Sequence, residues 1–188
     1  MCIKKIRVVA DECFLRFHPH YEKMSCKRFL KQYPNLLIVN AFTKFYAMAG
    51  LRLGYLMTGD LSLLHAVAQQ LPEWNVSSIA QRAGISALQD TEYEKRTRQL
   101  IEKERRYLIQ EFLKMGCTVF PSEADYITFR LPQEKTGFLL KERLLEGKIL
   151  IRSCANYRNM PPDCYRIAVK QHADNEELVR QVWRILIQ

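Results

Sequence analysis

Apolar positions fall into two kinds of pattern along the chain. Ile3 to Ala10 is a continuous apolar and β-branched run broken only by basic residues, and it ends at Asp11-Glu12. This reads as a buried strand with acids at its carboxyl end. A polar, Pro-containing stretch from His18 to Tyr33 follows, in which Lys23 to Tyr33 has room for a short helix, and Asn35 to Ala41 (NLLIVNA) then reads as a second buried strand. Strand, crossover, strand implies a parallel pair. Leu53 to Gly59 is predicted as a third short strand, with helices over Leu61 to Gln70 and Ser77 to Leu88.

From Thr91 to Lys114 the period changes. Leu100, Ile101, Leu108, Ile109, Phe112 and Leu113 recur at helical spacing, and Gly116 closes the run. A helix of this length is expected to bridge two domains. Beyond it come the strand segments CTVFPSE and DYITFRL, a helix over Phe138 to Leu145 ending at Gly147, the strands ILIRSC and YRIAVK, and a last helix from Asn175 to Ile187. Two strands, helix, two strands, helix make a small α+β layer. The expected boundary lies near residue 92, dividing the chain into 1–91 and 92–188.

The 188 residues are enough for one domain or two small ones, and the seven Gly and seven Pro form no repeat. No apolar run approaches the roughly 18 residues needed to span a bilayer. The start, MCIKKIRVVADECF, lacks a small-residue cleavage site, so the expectation is a cytoplasmic protein without membrane association. Six cysteines stand in apolar contexts without any CxxC, which suits free thiols better than a disulfide frame or a zinc site. The net charge is +9, but Lys95, Arg96, Arg98, Lys103, Arg105 and Arg106 are interleaved with Glu92, Glu94, Glu102 and Glu104. That is the pattern of an exposed, ion-paired helix face, and it argues against a nucleic-acid partner.

Three residues of the first part carry candidate chemistry: Asp11 at the end of a strand, Lys44 just after the next, and Arg52 eight residues on. An acid at a strand end is usually a turn residue, and most lysines are solvated charges. Lys44, however, is flanked by Phe42, Phe45 and Tyr46, where desolvation would depress an amine pKa and favour Schiff-base chemistry.

The segments NAFTKFYAMAGLRLGY and VVADECF resemble the lysine and cofactor-acid segments of the class I and II pyridoxal phosphate-dependent aminotransferase family, which has the aspartate aminotransferase fold. The likeness extends over essentially the whole chain, including LPEWNVSSIAQRAG and IRSCANYRNMPPDCYRIAVK. It is greatest to the threonine-phosphate decarboxylases of cobalamin biosynthesis, with the histidinol-phosphate aminotransferases next. The implied fold class is α/β: the carboxyl-terminal part of a pyridoxal phosphate-binding large domain with a mostly parallel sheet (1–91), then a bridging helix and a small α+β domain (92–188).

The resemblance implies that Lys44 forms the internal aldimine with pyridoxal 5'-phosphate and then shuttles protons, while Asp11 holds a proton on the pyridine nitrogen. It implies Thr43 and Arg52 as cofactor-phosphate ligands, Arg166 as the grip on an amino-acid carboxylate, and Arg152 with Asn156 near a substrate phosphate. Tyr157 marks the same segment, and Trp74 with Asn75 occupies a loop expected near a homodimer interface and the substrate entrance. Two positions depart from the pattern: Ala41 stands where relatives often have a hydroxyl residue, and Phe14 where many have a tyrosine. Full family members are about twice this length, so the expectation is the carboxyl-terminal half of such an enzyme, inactive on its own and self-associating. A protein that keeps the fold for structural or interaction purposes alone is the alternative from another class.

Overall fold

The computed structural model describes residues 6–135 and 139–187. The chain divides into two compact units, Met1–Lys95 and Arg96–Gln188.

The first unit is built on a three-stranded sheet in the order β1 (Val8–Asp11), β2 (Leu36–Ala41), β3 (Gly54–Thr58). β1 and β2 run parallel, with Val8 opposite Leu36 and Asp11 opposite Val39. β3 runs antiparallel to β2, with Ala41 opposite Gly54. The described strands thus form one parallel and one antiparallel pair rather than a mostly parallel set. β2 is buried at Leu36, Leu37 and Ile38, but Val8 and Val9 of β1 are 49% and 62% exposed. The expected burial of the first strand therefore fails over its described part: no described strand pairs with its outer edge. Residues 3–5 lie outside the described set.

Between β1 and β2 the predicted helix over Lys23 to Tyr33 is replaced by one helical turn, α1 (Tyr21–Met24), and a 3-10 turn at Cys26–Phe29. The break falls at Ser25, whose backbone is extended (ψ 137°). Glu12 is the cause. Its buried carboxylate accepts from Ser25 Oγ at 2.8 Å and from the Cys26 N–H at 2.7 Å, so the donors that a continuous helix would use are turned toward it.

The core of this unit is aromatic. Phe45 meets Phe17 edge-on at 5.1 Å, and Tyr46 stacks on Phe42 at 5.1 Å and on Tyr93 at 6.1 Å. α2 (Leu61–Ala68) is capped by Asp60, which accepts from the Leu63 N–H, and α3 (Ser78–Gln89) by Ser77, which accepts from the Ala80 N–H. α3 turns the small residues Ala80, Gly84 and Ala87 inward. A Cβ on Gly84 would lie 2.5 Å from Leu53 Cδ2, so the absent side chain is what lets the helix seat over Leu53 and Phe42.

α4 (Thr91–Lys114) ends as its sequence predicts. Gly116 is left-handed (φ 79°), its N–H reaches the Leu113 carbonyl, and the Cys117 N–H reaches that of Phe112. The second unit carries an antiparallel sheet of β4 (Thr118–Phe120), β5 (Tyr126–Arg130), β6 (Arg152–Ser153) and β7 (Cys164–Ala168), ordered β4-β5-β7-β6. One face is buried at Ile127, Phe129, Tyr165 and Ile167. α5 (Leu140–Glu146) and α6 (His172–Ile187) complete the unit. Phe138, the predicted start of α5, lies outside the described residues. The left-handed residue that ends α5 is Lys148 (φ 62°) rather than Gly147, and the Lys148 and Ile149 N–H groups return to the carbonyls of Leu145 and Leu144.

The inward stripe of α4 is Ile101, Glu104, Leu108 and Phe112, so Leu100 and Leu113, predicted as apolar contacts, are instead 39% and 54% exposed. Two acids of the expected ion-paired face are also turned inward. Glu94 accepts the Tyr46 hydroxyl at 2.6 Å and pairs with Arg16 at 3.0 Å. Glu104, 1% exposed, accepts from Asn175 Nδ2 and meets His172 Nδ1, both at 3.0 Å. Burial pushes the Glu104 carboxyl up, but the hydrogen bonds from Asn175 and His172 outweigh it and leave the group below its ordinary value. Asn175 also exchanges hydrogen bonds with the Lys170 backbone, which ties the start of α6 to the end of β7.

Among the described residues, no helix is long and apolar enough to cross a membrane, and no group of three or more His, Cys, Asp or Glu is placed to hold a metal.

Candidate active site

The parallel pair β1–β2 brings the candidate residues of the first unit to one end of its sheet. Asp11 closes β1 opposite Val39, and Thr43 and Lys44 follow the last residue of β2. Because β3 runs back from Gly54, which faces Ala41, Arg52 enters from the same end. The carboxyl end of parallel strands is where open α/β sheets place their ligands.

Asp11 is exposed, and its Oδ1 accepts the Cys13 N–H at 2.9 Å. Hydrogen bonds from the Cys13 thiol and then from its N–H hold the Asp11 carboxyl below the usual range. The Cys13 thiol is pushed up to about 11, first by burial and then by the hydrogen bond and charge of Asp11, with Lys44 pulling the other way. The Lys44 ammonium thus acts on the turn that follows Asp11, and its Nζ stands 5.8 Å from the centre of the Phe14 ring.

Lys44 itself is exposed. Phe42, Phe45 and Tyr46 are buried at 6%, 2% and 7%, so the aromatic flanks form the floor beneath the lysine instead of desolvating it. The reason is local: residues 43–46 fold into a turn, which sends the aromatic rings down and the amine out. Two residues in the following segment, Ala47 (φ 54°) and Arg52 (φ 53°), are left-handed without being glycine, a costly backbone state that tends to collect at functional sites. Arg52 is exposed, and its Nη1 donates to the Ala49 carbonyl at 3.1 Å. Ala41 closes β2, and its N–H donates to Asn40 Oδ1 at 2.8 Å. Trp74 is 95% exposed and left-handed (φ 59°), and Asn75 beside it is also exposed.

The second unit brings Arg152 and Arg166 together as directly opposed partners of β6 and β7, with Thr128 of β5 in the same row. Side chains at such positions share a face, and like charges held there repel unless an anion lies between them. Arg166 stands over the ring of Tyr126 at 4.8 Å, and exposed Arg152 over Tyr157 at 5.8 Å. Asn156 is exposed in the turn after Cys154.

Cys13 and Tyr126 escaped the reading of the sequence. The alternation of DYITFRL carries the signal for Tyr126, since residues 126, 128 and 130 share the face opposite buried Ile127 and Phe129. For Cys13 no pattern in the sequence gives one.

The donor set at the sheet end, a primary amine, an ionised carboxylate, a hydroxyl and a guanidinium, suits an aromatic aldehyde that carries a ring nitrogen and a phosphate. Comparison with known proteins points the same way. A threonine-phosphate decarboxylase of Salmonella typhimurium is 35% identical over 182 residues, which is 96% of this chain and 49% of that protein. The crystal structure of a histidinol-phosphate aminotransferase from Clostridium acetobutylicum superposes with a TM-score of 0.89 at 31% identity, covering 98% of this chain and 55% of that one. The same fold occurs in a histidinol-phosphate aminotransferase from Sinorhizobium meliloti solved with pyridoxal-5'-phosphate (TM-score 0.87, 21% identity, 98% and 50% covered). The chain thus spans about half the length of the relatives that it matches. The family they represent depends on pyridoxal 5'-phosphate. Residues 2–182 match the family model described as aminotransferase class I and II, and the chain belongs to that family.

Proposed function

We propose that this chain is the lysine-bearing and acid-bearing portion of a pyridoxal phosphate enzyme of the threonine-phosphate decarboxylase type, acting on an amino acid that carries a phosphate. The observation that carries the reading is the convergence of Asp11, Thr43, Lys44 and Arg52 at the carboxyl end of β1–β2. When bound, the cofactor supplies an electron sink for the carbon whose bond is broken. Lys44 holds the cofactor through its amine and then carries a proton at Nζ. Asp11, already held ionised, keeps a proton on the ring nitrogen, and Thr43 with Arg52 binds the cofactor phosphate.

In the second unit Arg166 takes the substrate carboxylate, and Arg152 with Asn156 takes the distal phosphate. The opposed arginines support this, because a dianionic ligand relieves their repulsion. Transamination of a phosphorylated amino acid is the second reading, supported by the likeness to the Clostridium enzyme. We further propose a cytoplasmic protein that self-associates as a homodimer or a larger form, supported by the exposed valines of β1.

Borohydride reduction with added pyridoxal phosphate, followed by peptide mapping, tests the central assignment. Label on Lys44 alone, lost in Lys44→Ala, is expected. Label spread over surface lysines and unchanged in that variant contradicts it. For the arginines, Arg152→Ala in the complete enzyme weakens phosphorylated substrates more than unphosphorylated ones, by about 1.5–3 kcal/mol; equal losses contradict the assignment. A monomeric mass by light scattering contradicts self-association.

A further inference from the structure

Two free, buried cysteines of the second unit, Cys154 and Cys164, lie opposite each other in the backbone, outside the residues assigned above. The antiparallel register that sets Arg152 opposite Arg166 and Ser153 opposite Tyr165 continues one step further, where the Cys154 N–H donates to the Cys164 carbonyl at 2.9 Å. Cys154 and Cys164 therefore stand opposite each other at the open end of this ladder, joined by that one hydrogen bond while the Cys164 N–H turns to the Pro161 carbonyl at 3.2 Å. Opposed residues of antiparallel strands hold their Cα atoms roughly 4.5–5.5 Å apart, and a disulfide spans roughly 4.4–6.8 Å. Both residues are free and fully buried. They enclose residues 155–163, whose first part, Ala155 to Asn159, is exposed and includes left-handed Asn159 (φ 64°).

We propose that Cys154 and Cys164 are a redox-responsive dithiol, which a small-molecule disulfide converts to a cross-strand disulfide that closes the loop 155–163. The pair lies on the sheet face of Arg152 and Arg166, and the loop carries Asn156 and Tyr157. Oxidation thus fixes the segment beside the two arginines, whether or not the activity proposed above is correct. In the reduced protein burial raises both thiols, so exchange waits for the loop to open; the charges of Arg166 and Arg152 then favour Cys154 as the attacking thiolate.

Cys154 gives its proton to solvent and its sulfur attacks one sulfur of the small disulfide, expelling a thiolate that takes up a proton. Cys164, likewise deprotonated, attacks Cys154 Sγ and expels the second small thiol. The protein loses two electrons and two protons, and the small disulfide becomes two thiols. A bridge directly across one rung of an antiparallel pair is strained, which makes it easily reduced and hence reversible.

The test uses the whole chain incubated with oxidised glutathione, alkylated with N-ethylmaleimide and mapped without reduction. The expected product is a peptide linked through Cys154 and Cys164, lighter by two hydrogens (about 2 Da) and released by dithiothreitol. Cys154→Ser and Cys164→Ser each abolish it, while Cys13→Ser leaves it. Full alkylation of both residues after prolonged exposure overturns the proposal, as does a persistent glutathione adduct or a link from either residue to Cys13, Cys26 or Cys117. Mapping of the unsubstituted chain decides the matter even where a variant fails to fold.

Discussion

The two sheets support their candidate residues in opposite ways. In the first unit the loop after β2 is both site and core: Lys44 points to solvent, while its neighbours Phe42, Phe45 and Tyr46 form the aromatic centre of the unit. In the second unit Arg152 and Arg166 stand on one face of a sheet whose opposite face holds the core at Ile127, Phe129, Tyr165 and Ile167. Damage to the first core therefore reaches the site directly. Damage to the second is separated from its arginines by the thickness of a strand.

The sharpest way to break this contrast is a matched pair of truncations. Phe45→Ala and Phe129→Ala remove fully buried rings and each cost about 3–5 kcal/mol in urea unfolding. Only Phe45→Ala is expected to spoil selective trapping of Lys44; equal trapping in both variants ends the distinction. A smaller effect, about 1–3 kcal/mol, is expected for Gly59→Ala, because its new Cβ would lie 2.4 Å from the Leu30 carbonyl oxygen and the backbone must shift.

In the second unit Glu104→Gln costs about 1 kcal/mol at neutral pH, read by the same melts. The sign of its pH dependence follows from the depressed carboxyl. The stabilisation by Glu104 is present above the ordinary glutamate value of 4.5 and fades as pH falls through the lower value of the folded protein. The deficit of the variant therefore shrinks on acidification, and a deficit that grows instead contradicts the assignment. The smallest effect belongs to exposed Val9. Val9→Lys changes stability by no more than about 0.5 kcal/mol and lowers any self-association seen by light scattering.

Much of this architecture is legible in the sequence because period and punctuation agree. The span of α4 follows from its apolar spacing and from Gly116, and the alternation of DYITFRL separates the two faces of β5. The failures share a cause: a polar residue that serves the interior. Glu104 occupies a core position of α4, and Glu12 interrupts the predicted helix through Ser25, neither of which shows until the distant partners are in place. The exposure of Lys44 was hidden for a related reason, since its aromatic neighbours signal burial of the segment and not of every side chain in it. Asp11, Lys44 and Arg52 were legible as a spaced set, but only the strand register shows that they meet at one end of a sheet.

Asp11 and Glu12 differ by one methylene and one step along the chain, yet one reaches solvent and the other is sealed against Ser25 and Cys26. Asp11 ends β1, and Glu12 just beyond it is held inward by those two hydrogen bonds. A single-residue deletion between Val8 and Asp11 would turn Glu12 away from Ser25 and Cys26 and set Cys13, which has no carboxylate, in its place. Glu12 thus acts as a ruler against slippage: only one alignment of β1 on β2 brings its carboxylate to the donors of Ser25 and Cys26.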